Sequence, residues 1–197
     1  MMRRLSLSLL LGWACTAAAV EGERVALCYN YGCLAEAEVR FDAAALEAIG
    51  AELGATGSAT EERELLSLAL GRLYAIAGTQ TPVGADRAGN YLDLGVHGRM
   101  DCIDHSTSTT RMLRLLESRG WLRFHRVVEP QRRTRFILQH FSAAVEEIPP
   151  AEAGDAADGA VAVPVRYAID SWFVNNGEAA VVLPLAEWLD GGGPNVQ

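Results

Sequence analysis

The stretch from Thr81 to Gly120 changes character once, at Asp101, and that change fixes where a long helix can start. Before it, Pro82, Gly84, Gly89, Gly95 and Gly98 interrupt a segment with no sustained apolar period, which reads as loop. After it, no proline or glycine occurs from Cys102 to Arg119, and Gly120 supplies a helix-ending residue with Arg119 in the last turn. Within Met100-Asp101-Cys102-Ile103-Asp104-His105-Ser106, Asp101 is therefore the predicted N-cap and Cys102 the first helical residue. A thiol there feels the free N–H groups and partial positive charge of the helix start, which favour thiolate. Asp101 and Asp104 push the other way.

A cysteine nucleophile also needs an imidazole to take its proton and a third group to orient the ring. The histidines are His97, His105, His125 and His140. Arg135 to Val145 reads as a strand with Phe136, Leu138, His140, Ser142 and Ala144 on one face. Val165 to Trp172 reads as another, with Asp170 on the face of Ala168 and Trp172. Paired antiparallel, these strands set His140 beside Asp170.

This order resembles the transglutaminase-like superfamily, and in particular its bacterial transglutaminase-like cysteine proteinase branch. Met100-Asp101-Cys102-Ile103-Asp104-His105 stands where that group has a Gly-Asp-Cys-Glu-Asp-Tyr-type motif. His140-Phe141 stands for its His-Ala-type strand motif and Ile169-Asp170-Ser171 for its Leu-Asp-Asn-type motif. Met100 replaces the usual glycine, Ile103 replaces an acidic or polar residue, and the stretch from His140 to Asp170 is longer. The match covers roughly residues 98–173. It implies an α+β fold with a papain-like, transglutaminase-like core, helices packed on an antiparallel sheet. It also implies Cys102 as nucleophile, His140 as base and Asp170 as orienter of a cofactor-free peptidase or amidase that works through a thioester. The backbone N–H of Cys102 suits an oxyanion hole, and Gln80 and Tyr91 are candidates for the second donor.

The same residues carry other readings. His125, in Trp121-Leu122-Arg123-Phe124-His125-Arg126-Val127, lies on a predicted strand and is the rival base. His97, Cys102 and His105, with Asp101 or Asp104, are the residue types of a zinc site, without the usual paired spacing. His140 is otherwise a structural histidine, and Asp170 a strand-end residue bonding the turn at Asn175-Asn176-Gly177. A non-catalytic envelope scaffold or binding protein is thus the alternative to an enzyme. No Gly-x-Ser-x-Gly elbow, P-loop or dinucleotide glycine pattern occurs, and the chain has no lysine for Schiff-base chemistry.

Residues 1–19 have the basic start, apolar middle and small-residue end of a cleaved secretory signal, too short to span a membrane comfortably. Gly12-Trp13-Ala14 is a poor approach to a lipidated Cys15. Cleavage leaves Cys28, Cys33 and Cys102, of which the first two are spaced for a small disulfide loop in a periplasmic or secreted protein. Cys102 is then the odd thiol. Loss of Arg3 and Arg4 takes the formal net charge from −8 to −10, which argues against nucleic acid as partner; the resemblance implies a peptide, protein or cell-wall amide as substrate. Locally, Arg119, Arg123, Arg126, Arg132, Arg133 and Arg135 concentrate positive charge, read as strand flanks around a turn at Glu129-Pro130-Gln131 or as a docking surface for an anion.

The remainder reads as scaffold of a single domain over residues 20–197. Asp42 to Leu53 and Glu61 to Ala77, within residues 42–79, have helical patterning. The broad stripe Leu65, Leu66, Leu68, Leu70, Leu73 and Tyr74 requires burial. Residues 148–160 are acidic, small and breaker-rich, a flexible loop between strands. Ala180 to Leu185 and Ala186 to Asp190 suggest a last strand and a short helical turn.

Overall fold

A computed structural model describes residues 22–89, 92–149 and 164–195. The leader at 1–19 with Cys15, Tyr91, and residues 150–160 of the acidic loop lie outside the described residues. The architecture is α+β, with helices and two antiparallel sheets. No helix among the described residues is long and apolar enough to cross a membrane.

The chain opens with a hairpin that the sequence pattern did not reveal, β1 (Glu23–Tyr29) paired with β2 (Ala35–Phe41). Val25, Leu27, Val39 and Phe41 alternate into the core, and Cys28 is buried on the other face of β1. Helix α1 (Ala43–Gly54) starts where the Asp42 side chain accepts from the Ala45 N–H, and α2 (Ala59–Gln80) where Ser58 accepts from Glu61. The α2 stripe is buried through Leu66, Leu70, Leu73, Tyr74 and Ala77, while Leu68 stays 46% exposed. Each fully buried leucine contributes about 1.5–3 kcal/mol.

Helix α3 (Cys102–Ser118) begins and ends as its composition predicts. Asp101 and Asp104 form a reciprocal capping box, and Gly120 follows the Arg119 cap with φ 70°. Met112, Leu113 and Leu116 bury one face of α3. That helix packs on β1 of the hairpin and on β4 and β3 of a second sheet, ordered β3 (His125–Arg135), β4 (Leu138–Glu147), β5 (Arg166–Asp170) and β6 (Val181–Pro184). A short α4 (Leu185–Leu189) closes the fold and buries Trp188.

Two local expectations are corrected. Glu129-Pro130-Gln131 is not a turn: it is an irregularity inside β3, where the register with β4 shifts between Val128 and Gln131. Because β3 is an edge strand, Pro130 withholds an N–H that no neighbour needs. The turn instead falls at Phe136-Ile137, within the run read as one strand from Arg135. Phe136 takes φ 55°, which no glycine or asparagine advertises in the sequence.

Candidate active site

Antiparallel pairing of β4 with β5 brings His140 and Asp170 together, His140 Nε2 lying 2.7 Å from Asp170 Oδ2. With the carboxylate as acceptor, Nε2 carries the proton, which makes Nδ1 the nitrogen that accepts in the neutral ring. Asp170 is 2% exposed and is held on both oxygens: the Trp172 N–H donates to Oδ1 at 3.1 Å, and Trp188 Nε1 donates to Oδ2 at 2.8 Å. It is therefore an anchored group and not a cap of the turn at Asn175. The imidazole packs among the rings of Trp172, Phe173 and Trp188, at centroid distances of 4.7, 5.5 and 5.6 Å.

Cys102 is the free cysteine among the described residues. It packs against the small apolar cluster of Ala168, Trp172, Phe173 and Trp188, and lines a cleft of about 620 Å³ together with His140. Among the described residues no hydrogen bond joins Cys102 to His140, so the assembled pair is His140 with Asp170, and the thiol shares their cleft. The expected acidification of that thiol is overturned: its pKa is pushed up to about 11. Burial is the largest cause, with the charges of Asp101 and Asp170 adding to it. The N–H groups of Phe141 and of Cys102 itself pull the other way and lose.

The start of α3 is held by a device whose parts are distant in sequence. Cys28 and Cys33 form a disulfide across the β1–β2 hairpin, and Asn30, Tyr31, Gly32 and Cys33 all have positive φ. Three successive N–H groups of that turn consequently face α3: Tyr31 donates to Asp104 Oδ2 at 2.8 Å, Gly32 to Asp101 Oδ2 at 3.0 Å, and Cys33 to Asp104 Oδ1 at 2.5 Å. Asn30 ties the turn to the preceding loop, its N–H donating to the Arg99 carbonyl at 2.7 Å and its Oδ1 accepting from Gly98 at 2.9 Å. Gly98 needs its glycine, since φ is 87° and a Cβ would strike the Pro82 carbonyl. Burial raises the pKa of Asp104, Asp101 adds to this, and the donated N–H groups offset part of it.

The other nominated residues are placed elsewhere. His125 is buried with Nδ1 2.8 Å from Glu62 Oε1 and Nε2 3.2 Å from Arg63 Nη1, which removes it as a rival base. His105 is 4% exposed, bonded to Asp86 through Nε2 and to Ser171 through Nδ1, both at 2.9 Å. With both nitrogens engaged it is no zinc ligand, and His97 instead contacts Asn30 Nδ2 at 3.4 Å and packs edge-on against Tyr29. Among the described residues the one metal-sized cluster is Cys28, Cys33 and Glu36, whose sulfurs form the disulfide. Gln80 is also corrected: its side chain bridges the Arg40 N–H and carbonyl at 3.0 and 2.8 Å, far from an oxyanion role. Tyr91 lies outside the described residues.

Two residues of the site escape sequence reasoning: Trp188, read as part of a terminal turn, and Tyr31, which lines the cleft and donates its hydroxyl to Asp93. Their signals are tertiary, because each acts through a residue more than fifteen positions away. No family model matches the chain, and neither the curated proteins nor the solved structures yield a match.

Proposed function

We propose that this chain is an exported cysteine-dependent peptidase or amidase with a transglutaminase-like, papain-related core. The observation that carries the reading is the His140–Asp170 pair, its Nδ1 the accepting nitrogen, in the same cleft as a cysteine at a helix start. Because the resting thiol is neutral at physiological pH, His140 acts as a general base at the moment of attack. The Cys102 proton passes to His140 Nδ1 as Sγ bonds the amide carbon. The carbonyl π pair moves to oxygen, and the Cys102 backbone N–H, the one at the start of α3 that the Asp101 cap does not use, stabilises that oxyanion. Collapse breaks the C–N bond while His140 returns the proton to the departing amine, leaving a Cys102 thioester. Water, activated by His140, then releases the acid and restores the thiol, and an amine in its place gives transamidation. Export is supported by the residue pattern of 1–19 and by the Cys28–Cys33 disulfide.

A non-catalytic envelope scaffold is the second reading, favoured by the burial that pushes the Cys102 thiol up. Iodoacetamide alkylation of Cys102 at neutral pH decides between them. A base that accepts the thiol proton makes wild type react about a hundredfold faster than His140→Ala, and Cys102→Ala abolishes cleavage of a quenched peptide library. Equal alkylation rates in wild type and His140→Ala overturn the enzyme.

A further inference from the structure

The arginines of this chain generally have carboxylate partners. Arg24 pairs with Glu38, Arg63 with Glu147, Arg72 with Glu52, Arg111 with Glu36, Arg119 with Glu23, and Arg126 with Glu146. Arg135, at the end of β3, has none among the described residues, as Arg40, Arg87, Arg123 and Arg132 also have none, but of these only Arg135 lines the cleft that holds Cys102 and His140. Register explains the placement. Arg135 opposes Leu138 and Arg133 opposes His140 across the β3–β4 ladder, so these side chains share the face that carries the base. Arg132, one residue off, belongs to the other face.

The neighbouring cation is fixed. Arg133 Nη1 donates to the carbonyls of Trp188 and Gly192 at 2.5 and 2.7 Å, and its guanidinium lies over the Trp188 ring. Beside the two arginines the hairpin presents Phe136 at 99% and Leu138 at 66% exposure, with Phe173 also lining the cleft. Asp101, the acidic side chain in the lining, already accepts from Gly32, Ile103 and Asp104. A cation without a carboxylate, framed by exposed apolar side chains on an acidic protein, matches a ligand carrying a carboxylate next to an apolar group.

Resting on the acyl-transfer reading of this cleft, we propose that its acyl donor is a peptide bearing a carboxylate beside an apolar side chain, with Arg135 as the residue that selects the carboxylate. Phe136, Leu138 and Phe173 cover the apolar side chain, and the guanidinium fork takes the carboxylate as a bidentate partner. The carboxylate is a recognition group and takes no part in bond making. Its source is either an acidic side chain or a peptide C-terminus.

The test is protection of Cys102 from iodoacetamide by three N-acetylated dipeptides. Phe-Gln amide carries no carboxylate, Phe-Glu amide carries one on a side chain, and Phe-Gln acid carries one at its terminus. At least one acid protects at a concentration about tenfold below the neutral amide, and whichever does names the source. Arg135→Gln erases that preference, Arg135→Lys retains part of it, and Arg132→Gln, with its charge on the other face, leaves it intact. Equal protection by all three peptides, protection by none, or equal losses in Arg135→Gln and Arg132→Gln overturn the proposal. Arg135 is exposed, and matched melting curves confirm folding of the variants. Failure of the enzyme reading shows separately, as alkylation of the peptide-free protein that is indifferent to His140→Ala.

Discussion

Trp188 and His140 meet the same carboxylate oxygen: the indole N–H and His140 Nε2 lie 2.8 and 2.7 Å from Asp170 Oδ2. One acceptor thus serves two donors, and the indole fixes where the carboxylate waits for the imidazole. Trp188→Phe keeps a large ring in the cluster and removes the N–H. Turnover of a cleaved peptide should fall about tenfold through kcat with KM little changed, since a charged acceptor loses one donor.

Asp170→Asn separates two properties that an enzyme normally moves together. Trp172 holds Oδ1, so the amide N–H2 replaces Oδ2 opposite two donors and the His140 orientation is lost. Peptide turnover should drop by about three to four orders of magnitude. The Cys102 thiol meanwhile becomes more acidic, because the Asp170 charge is one of the causes that raise it. Asp101→Asn, which preserves capping, lowers the thiol pKa as well. The pH midpoint of alkylation measures both shifts downward from about 11.

Glu62 is fully buried and accepts from the N–H groups of Arg123 and Phe124 and from His125 Nδ1. Glu62→Leu strands all of them. Urea unfolding should report a loss of about 3–5 kcal/mol, whereas Glu62→Gln, which keeps an acceptor oxygen, loses less.

Glu146, 2% exposed, accepts from Arg166 and then Arg126, which hold its pKa below the ordinary carboxylate range. A depressed folded pKa contributes stability that is present above the unfolded value of about 4.3 and disappears as pH falls through the folded one. The stability difference between wild type and Glu146→Gln should therefore shrink on acidification below that pH, as followed by denaturant titration. A difference that is constant with pH contradicts the ion-pair account.

The Cys28–Cys33 link closes a short loop, worth about 2 kcal/mol by chain entropy. Reduction should lower the melting temperature. It should also loosen the turn whose N–H groups hold Asp101 and Asp104, seen as faster amide exchange at the first turn of α3.

The start of α3 was legible because loop composition, N-cap and helix formers all agree at Asp101. His140 and Asp170 were legible because the runs that carry them read as strands and pair antiparallel as β4 and β5. Three things were not. The β1–β2 hairpin buries Val25, Leu27 and Cys28 from β1 but only Val39 and Phe41 from β2, whose first half alternates alanine with exposed glutamate and shows little apolar signal. The Phe136 turn uses a side chain that gives no turn signal, so two strands read as one. The thiol pKa depended on burial, which helix position does not report, and burial outweighed the field of the helix start.

The aromatic surround of His140 has a directional consequence. Trp172, Phe173 and Trp188 crowd its ring, Asp170 takes Nε2, and the side chain is left 13% exposed. The imidazole sits in a cul-de-sac that opens on the cleft it shares with Cys102. In the proposed acyl transfer, a proton placed on this ring leaves by the way it came, so an acyl group filling the cleft keeps the hydrogen taken from sulfur from bulk water until the amine departs with it.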